Sequence, residues 1–154
     1  MESNYAAELL AELVRHSLLS IDQALHLTEL KEDEDKAHAL SVLAPQLSGE
    51  ERSHVLNEAL DVARTISNEP NRADALAALA PQLSGEEHSH VLNEALDVAR
   101  TISDEQHRAR TLAALAPQLS GEERSRVLNE ALDVARTIRD EWHRARTLRR
   151  SPHS

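Results

Sequence analysis

Between Val55 and Ile66 the apolar residues are Val55, Leu56, Ala59, Leu60, Val62, Ala63 and Ile66. Spacings of three and four place them on one broad stripe of an α-helix. Polar residues fill the other positions, among them Asn57, Glu58, Asp61, Arg64 and Thr65. The stretch opens with Ser-Gly-Glu-Glu, in which Ser48 and Glu51 stand three apart, the spacing of a capping box. The pattern predicts a helix of about 18 residues, a rod of roughly 27 Å at 1.5 Å rise per residue. A shorter stripe follows at Ala73, Leu76, Ala77, Leu79 and Ala80. Asn68 is a good N-cap type, Glu69 suits the positive end of the helix dipole, and Pro70 is tolerated in a first turn. Pro81 ends the second helix, because it lacks an N–H and restricts Ala80.

This two-helix pattern returns every 36 residues. Residues 44–79 and 80–115 differ at six positions: Arg52/His88, Asn68/Asp104, Pro70/Gln106, Asn71/His107, Asp74/Arg110 and Ala75/Thr111. A third copy runs from Ala116 to Leu148, after which Arg149-Arg150 replaces Ala113-Ala114. The segment LAPQLSGEE, at 43–51, 79–87 and 115–123, joins each short helix to the next long one. Ser84/Glu87 and Ser120/Glu123 repeat the capping box, and Asp104 and Asp140 repeat the short-helix N-cap. Glu69/Arg72, Glu105/Arg108 and Glu141/Arg144 stand three apart and can pair. Upstream, Ile21, Ala24, Leu25 and Leu27 match Leu56, Ala59, Leu60 and Val62 in a worn copy, and residues 36–40 match 72–76. Ala7, Leu10, Leu13 and Val14 make one more amphipathic helix.

A fixed period in this range is the mark of stacked supersecondary units. The expected fold is all-α: a right-handed α-solenoid of stacked helical hairpins with about nine helices, the last running from Asp140 to about Arg150. Residues 1–35 form a degenerate N-terminal repeat or cap, 36–148 the near-identical αα repeats, and 149–154 a polar C-terminal tail that caps the open end. Leu and Ala, 24 and 23 residues, supply most of the apolar set, and Phe is absent. That composition favours closely approaching helices over a sheet.

The residues with the pattern N/D-E-x-x-R-A-x-x-L-x-x-L-A-P-x-L are Asn68, Glu69, Arg72, Ala73, Leu76, Leu79, Ala80, Pro81 and Leu83. With the long second helix, this resembles the tetratricopeptide-like arrays of bacterial signal-transduction NTPases, over residues 36–154 well and 1–35 loosely. The period is 36 rather than 34, and the Gly, Tyr and Phe positions of true tetratricopeptide repeats are missing. The resemblance implies helical hairpins and a sensor or scaffold part, since no NTPase motif is present. Pentatricopeptide repeats share a similar period, but the acidity here argues against reading RNA.

Cysteine is absent, which removes disulfides, thiolate nucleophiles and Cys-based zinc sites. The net charge of −10 argues against general nucleic-acid binding. No apolar run reaches the roughly 20 residues that span a bilayer, and the N-terminus lacks a basic region before its apolar residues. The expectation is a soluble, cytoplasmic protein with no membrane association. Charge is uneven: residues 1–35 hold nine acids and two bases, net −7, whereas 123–154 hold five acids and eight bases, net +3. An antiparallel pair of chains would bring acidic head to basic tail twice, so a homo-dimer or larger self-assembly is expected.

Stacking would align residues of the long helices into ladders: Asn57/Asn93/Asn129, Asp61/Asp97/Asp133 and Arg64/Arg100/Arg136. One reading is a groove in which Asn side chains hold a peptide backbone, by analogy with armadillo solenoids. The other is a solvated face with Asp–Arg pairs three apart. Trp142 is either a contact anchor or a cover for the open end of the last helix pair. The nine histidines include His88-Ser89-His90, but residues two apart on a helix do not face each other, so no metal site is expected. No catalytic motif occurs and all three glycines lie in the joints, so neither an enzyme nor a cofactor is expected. The expected role is a non-enzymatic scaffold that binds a protein or peptide or assembles with itself. The alternatives are an engineered consensus repeat without a natural ligand and an acidic nucleic-acid mimic that occupies a basic protein.

Overall fold

The computed structural model describes residues 2–150 and, for 2–5, the backbone alone. Eight α-helices and no strand occur among them: α1 Glu2–Arg15, α2 Ile21–Thr28, α3 Asp33–Leu43, α4 Gly49–Thr65, α5 Glu69–Leu79, α6 Gly85–Thr101, α7 Glu105–Leu115 and α8 Gly121–Arg150. Residues 151–154 of the expected polar tail lie outside the described residues. None of the helices is long and apolar enough to cross a membrane.

Short and long helices pair across the repeated joint, α3 with α4, α5 with α6 and α7 with α8. The short helices also touch in order, α3 to α5 to α7. One apolar core runs through these hairpins, built from Leu40, Leu56, Leu60, Leu76, Leu79, Leu92, Leu96, Leu112 and Leu115, with alanines between them. Alanine keeps the helices close and loses no rotamer freedom on burial.

The joint differs from its expected form in one respect. Ala-Pro-Gln makes a single 3-10 turn at Ala44–Gln46, Ala80–Gln82 and Ala116–Gln118, as the proline dictates. Ser48 and Ser84 then stand extended, but neither side chain caps its helix, so no capping box forms there. The glycine is the reason: Gly49, Gly85 and Gly121 have φ of +59°, +59° and +56°. This left-handed step takes the first helical turn out of reach of the serine hydroxyl. A capping box does form at Ser20 and Gln23, where no glycine intervenes.

Gln46, Gln82 and Gln118 do more than turn the chain. Each side-chain amide donates to a carbonyl of an earlier helix, Ala11 of α1, Ser41 of α3 and Ala77 of α5, at 2.8, 2.8 and 3.0 Å. These contacts fix one hairpin against the one before it.

The largest departure is α8. The expected break before Asp140 does not occur, and one helix of 30 residues replaces two. In the earlier copies the long helix stops at Ile66 and Ile102, whose carbonyls accept from Arg72 and Arg108 at 2.8 Å. Asn68 and Asp104 then cap the short helices, accepting from the N–H of Asn71 and His107 at 2.9 and 2.8 Å. Each break gives up helical hydrogen bonds, and the packing of the following hairpin offsets that loss. Among the described residues no long helix follows for residues 140–150 to pack on, and Arg139, a better helix former, replaces Ser103. Continuing the helix is then the lower-energy course.

Candidate functional site

The long helices place the ladder residues on one face. Asn57, Asn93 and Asn129 are exposed on α4, α6 and α8. Their side chains make no hydrogen bond among the described residues, so their amides stay available. Asn57 borders a small cleft of about 160 Å³ between α4 and the next joint, with Arg52, Gln82 and Glu87.

The charged ladders are engaged with each other. Arg64 lies 3.6 Å from Asp61, Arg100 3.5 Å from Asp97 and Arg136 3.5 Å from Asp133. Arg64 also forks onto Glu94 of the next long helix at 2.8 and 3.0 Å, and Arg100 onto Glu130 at 3.0 and 2.9 Å. The hydrogen bond to Glu94 holds Arg64 above the ordinary arginine value despite partial desolvation, and Glu130 does the same for Arg100. Lys36 meets Glu58 at 3.3 Å at the head of the series. The arginines thus stitch successive long helices together. Sequence reasoning missed this, although Glu58, Glu94 and Glu130 recur at the same interval as the arginines.

Trp142 covers no helix end. It is 56% exposed on α8, with the Arg146 guanidinium 5.2 Å from its ring centroid and the His143 ring edge-on at 5.2 Å. Arg149 and Arg150 lie in the last turn of α8.

The uncovered surface is the flank of α8 itself. Leu92 and Leu96 are 4% and 2% exposed on α6, which packs against both α5 and α7. Their counterparts Leu128 and Leu132 are 40% and 50% exposed, and Ala135 is also open. These side chains form an apolar strip on α8 that no other helix covers among the described residues.

A second feature lies on the short-helix side. A cleft of about 390 Å³ between α3 and α5 is lined by Glu34, Asp35, His38, Asn71 and Asp74. Its neighbour between α5 and α7, about 550 Å³, is lined by Asn68, Asn71, Asp74, His107, Arg110 and Thr111. Neither was anticipated, although five of the six differences between the two best-matched repeats map to this side.

The histidines are dispersed. His88 Nδ1 lies 2.7 Å from the Ala80 carbonyl, and Arg124 donates to the equivalent Ala116 carbonyl at 3.2 Å. This position, His in one copy and Arg in the next, supports the end of the preceding short helix. Among the described residues no three His, Asp or Glu side chains converge as metal ligands would. Comparison with known protein families, with curated proteins and with solved structures finds no match to this chain.

Proposed function

We propose that the chain is a non-enzymatic scaffold, a right-handed α-solenoid of tetratricopeptide-like hairpins that pairs with a second copy of itself through α8. The observation that carries this reading is the open seat at Leu128 and Leu132, in a repeat otherwise built to be covered. The occupant is named by the sequence. Residues 140–150 match 104–114 of α7 at eight of eleven positions, and α7 is the helix that fills the equivalent seat on α6. The three differences, Trp142, Arg149 and Arg150, stand where α7 has Gln106, Ala113 and Ala114, all exposed. The inward Leu112 is retained as Leu148, which is 71% exposed here.

A straight α8 cannot lay its own tail on its own seat. Two copies running antiparallel can lay each tail on the other's seat, in a closed two-fold exchange. The contact is apolar, so pairing persists at high salt, whereas attraction between acidic heads and basic tails would fade. Along the long helices carboxylates alternate with arginines. That arrangement favours a scaffold over an acidic decoy.

Light scattering after size exclusion tests the reading. The expected mass is twice 17.1 kDa in low and in 1 M salt, falling to the monomer for Leu132→Glu and for Leu148→Glu. Both side chains are exposed in the single chain, so neither change unfolds it. A monomer at every concentration, or a dimer indifferent to both substitutions, overturns the reading.

A further inference from the structure

The repeats can be compared with one another. Between residues 44–79 and 80–115, thirty of 36 positions are identical, including exposed ones on the long helix such as Ser53, His54, Asn57, Asp61 and Thr65. Exposure alone therefore does not explain where the copies differ. Five of the six differences fall within residues 68–75 and their counterparts 104–111. Seven of the eight residues that line the α5–α7 cleft occupy these divergent positions. Most of the change between the copies thus falls on the cleft between α5 and α7, which shares Asn71 and Asp74 with the cleft between α3 and α5.

The groove changes sign along its length. Glu34 and Asp35 line it at α3, Asp74 at α5, and His107 and Arg110 at α7, with the Asn68 and Asn71 amides between. Asp74 and Arg110 line one cleft, yet among the described residues neither forms an ion pair or a hydrogen bond, with each other or with anything else. Partial burial also pushes the Asp74 carboxyl above the ordinary aspartate range, with no cation in the chain to bring it back. The His38 Nε2 is shielded from solvent with no partner in the protein. An unpaired acid and an unpaired base, Asp74 and Arg110, side by side in one groove mark a surface that can take its partners from outside.

We infer that this groove binds an extended peptide of another protein that carries one cationic and one carboxylate side chain. The cation sits in the α3–α5 cleft against Glu34, Asp35 and Asp74. The carboxylate sits in the α5–α7 cleft against Arg110, beside His107, whose Nδ1 lies 2.9 Å from the Asp104 carboxylate. Packed helices lie about 8–10 Å apart, and an extended chain advances about 3.3 Å per residue. The two side chains are therefore about three residues apart, Lys/Arg-x-x-Asp/Glu or its reverse. Divergence at Asn71/His107 and Asp74/Arg110 makes the successive clefts chemically distinct, and so fixes the register of the peptide. The groove lies away from the α8 seat, so this inference stands or falls independently of dimerisation.

Selection of a random dodecapeptide display library on the immobilised full-length chain tests it. The expected result is enrichment of peptides with a base and an acid three residues apart in one order. The charge-exchanged variant Asp74→Arg/Arg110→Asp should lose that enrichment. A synthetic peptide from the first pool, followed by fluorescence anisotropy, should lose at least about tenfold in affinity to Asp74→Asn and to Arg110→Gln. These single changes also serve if the exchanged variant does not fold. No enrichment, the same motif on both proteins, or binding indifferent to Asp74 and Arg110 overturns the inference. Enrichment of peptides of one sign only does so as well, since that reports net charge and not the groove.

Discussion

Leu96 and Leu132 form an experiment that the chain sets up itself. Both follow the run Val-Leu-Asn-Glu-Ala and precede Asp-Val-Ala-Arg-Thr-Ile. What distinguishes them is coverage: Leu96 is 2% exposed on α6, which packs against both α5 and α7, whereas Leu132 is 50% exposed on α8. Leu→Ala removes about three carbon groups, worth about 2.4 kcal/mol of transfer at roughly 0.8 kcal/mol each when fully buried. At Leu96 a cavity is left behind as well, so the cost is about 2–5 kcal/mol. At Leu132 about half the transfer is lost and no closed cavity forms, which gives about 1 kcal/mol. Urea melts followed by helical circular dichroism, at concentrations low enough for monomer, should separate the two variants by about 2 kcal/mol. Raising the protein concentration should increase the cost at Leu132 and leave that at Leu96 unchanged, because a dimer buries only the former. Equal costs in the monomer would refute the open seat. They would mean that residues 140–150 fold back over Leu132 as a ninth helix.

Three further outcomes follow from the joint, the stitch and the groove. Gly85→Ala should cost about 1 kcal/mol, because φ is +59° and no atom lies within 4 Å of the added methyl, so the penalty is conformational and not steric; Ser84→Ala in the same melts should be close to neutral, and the reverse order would reinstate the capping box. A double-mutant cycle on Arg100 and Glu130 should give a coupling of about 0.5 kcal/mol that shrinks in 1 M salt, as for a forked but half-exposed pair; zero coupling at low salt would mean that the long helices are not joined there. The carboxyl of Asp74 is raised in the folded state, so its contribution is present below the ordinary aspartate value and is lost as pH rises through the raised one. Asp74→Asn should accordingly raise the melting temperature at pH 7 and leave it unchanged near pH 3; a fall at pH 7 would show that the carboxylate has a favourable partner.

Much of the fold was legible because each repeat states its local rules twice over. The stripe from Val55 to Ile66, the caps at Asn68 and Asp104 and the stop at Pro81 act within one or two helical turns, and all appear where the pattern places them. The spacing of the joint serine and glutamate suggests a capping box that does not form, because a glycine follows the serine. The glycine's positive φ decides which donors a serine hydroxyl can reach. The Arg–Glu stitch and the glutamine clamp were missed for another reason. Their partners lie 30 to 41 residues away, at distances set by the packing of hairpins and not by any local spacing. The clefts could have been found from the differences between copies, since identity elsewhere makes five clustered changes a signal in its own right.

The end of α8 shows how far a local signal reaches. Asp140, Glu141 and Arg144 repeat the cap, the first-turn acid and the clamp that start α7, yet no short helix begins there. An N-cap contributes only about 1 kcal/mol. It selects where a helix starts once something else has made a break worthwhile. In the interior that something is the next hairpin, which buries Leu76 under α6 and Leu112 under α8. Closely matched residues thus take two forms in different copies: a short helix folded against a neighbour at α7, and the straight end of a long helix with Leu148 in the open at α8. The state of each repeat is set by the unit after it, as nearest-neighbour coupling in a repeat array requires. A second chain that supplies the missing surface meets that requirement without a break in α8. Under the proposed pairing, the uncovered Leu128 and Leu132 and the extended tail are two halves of one contact, divided between two copies.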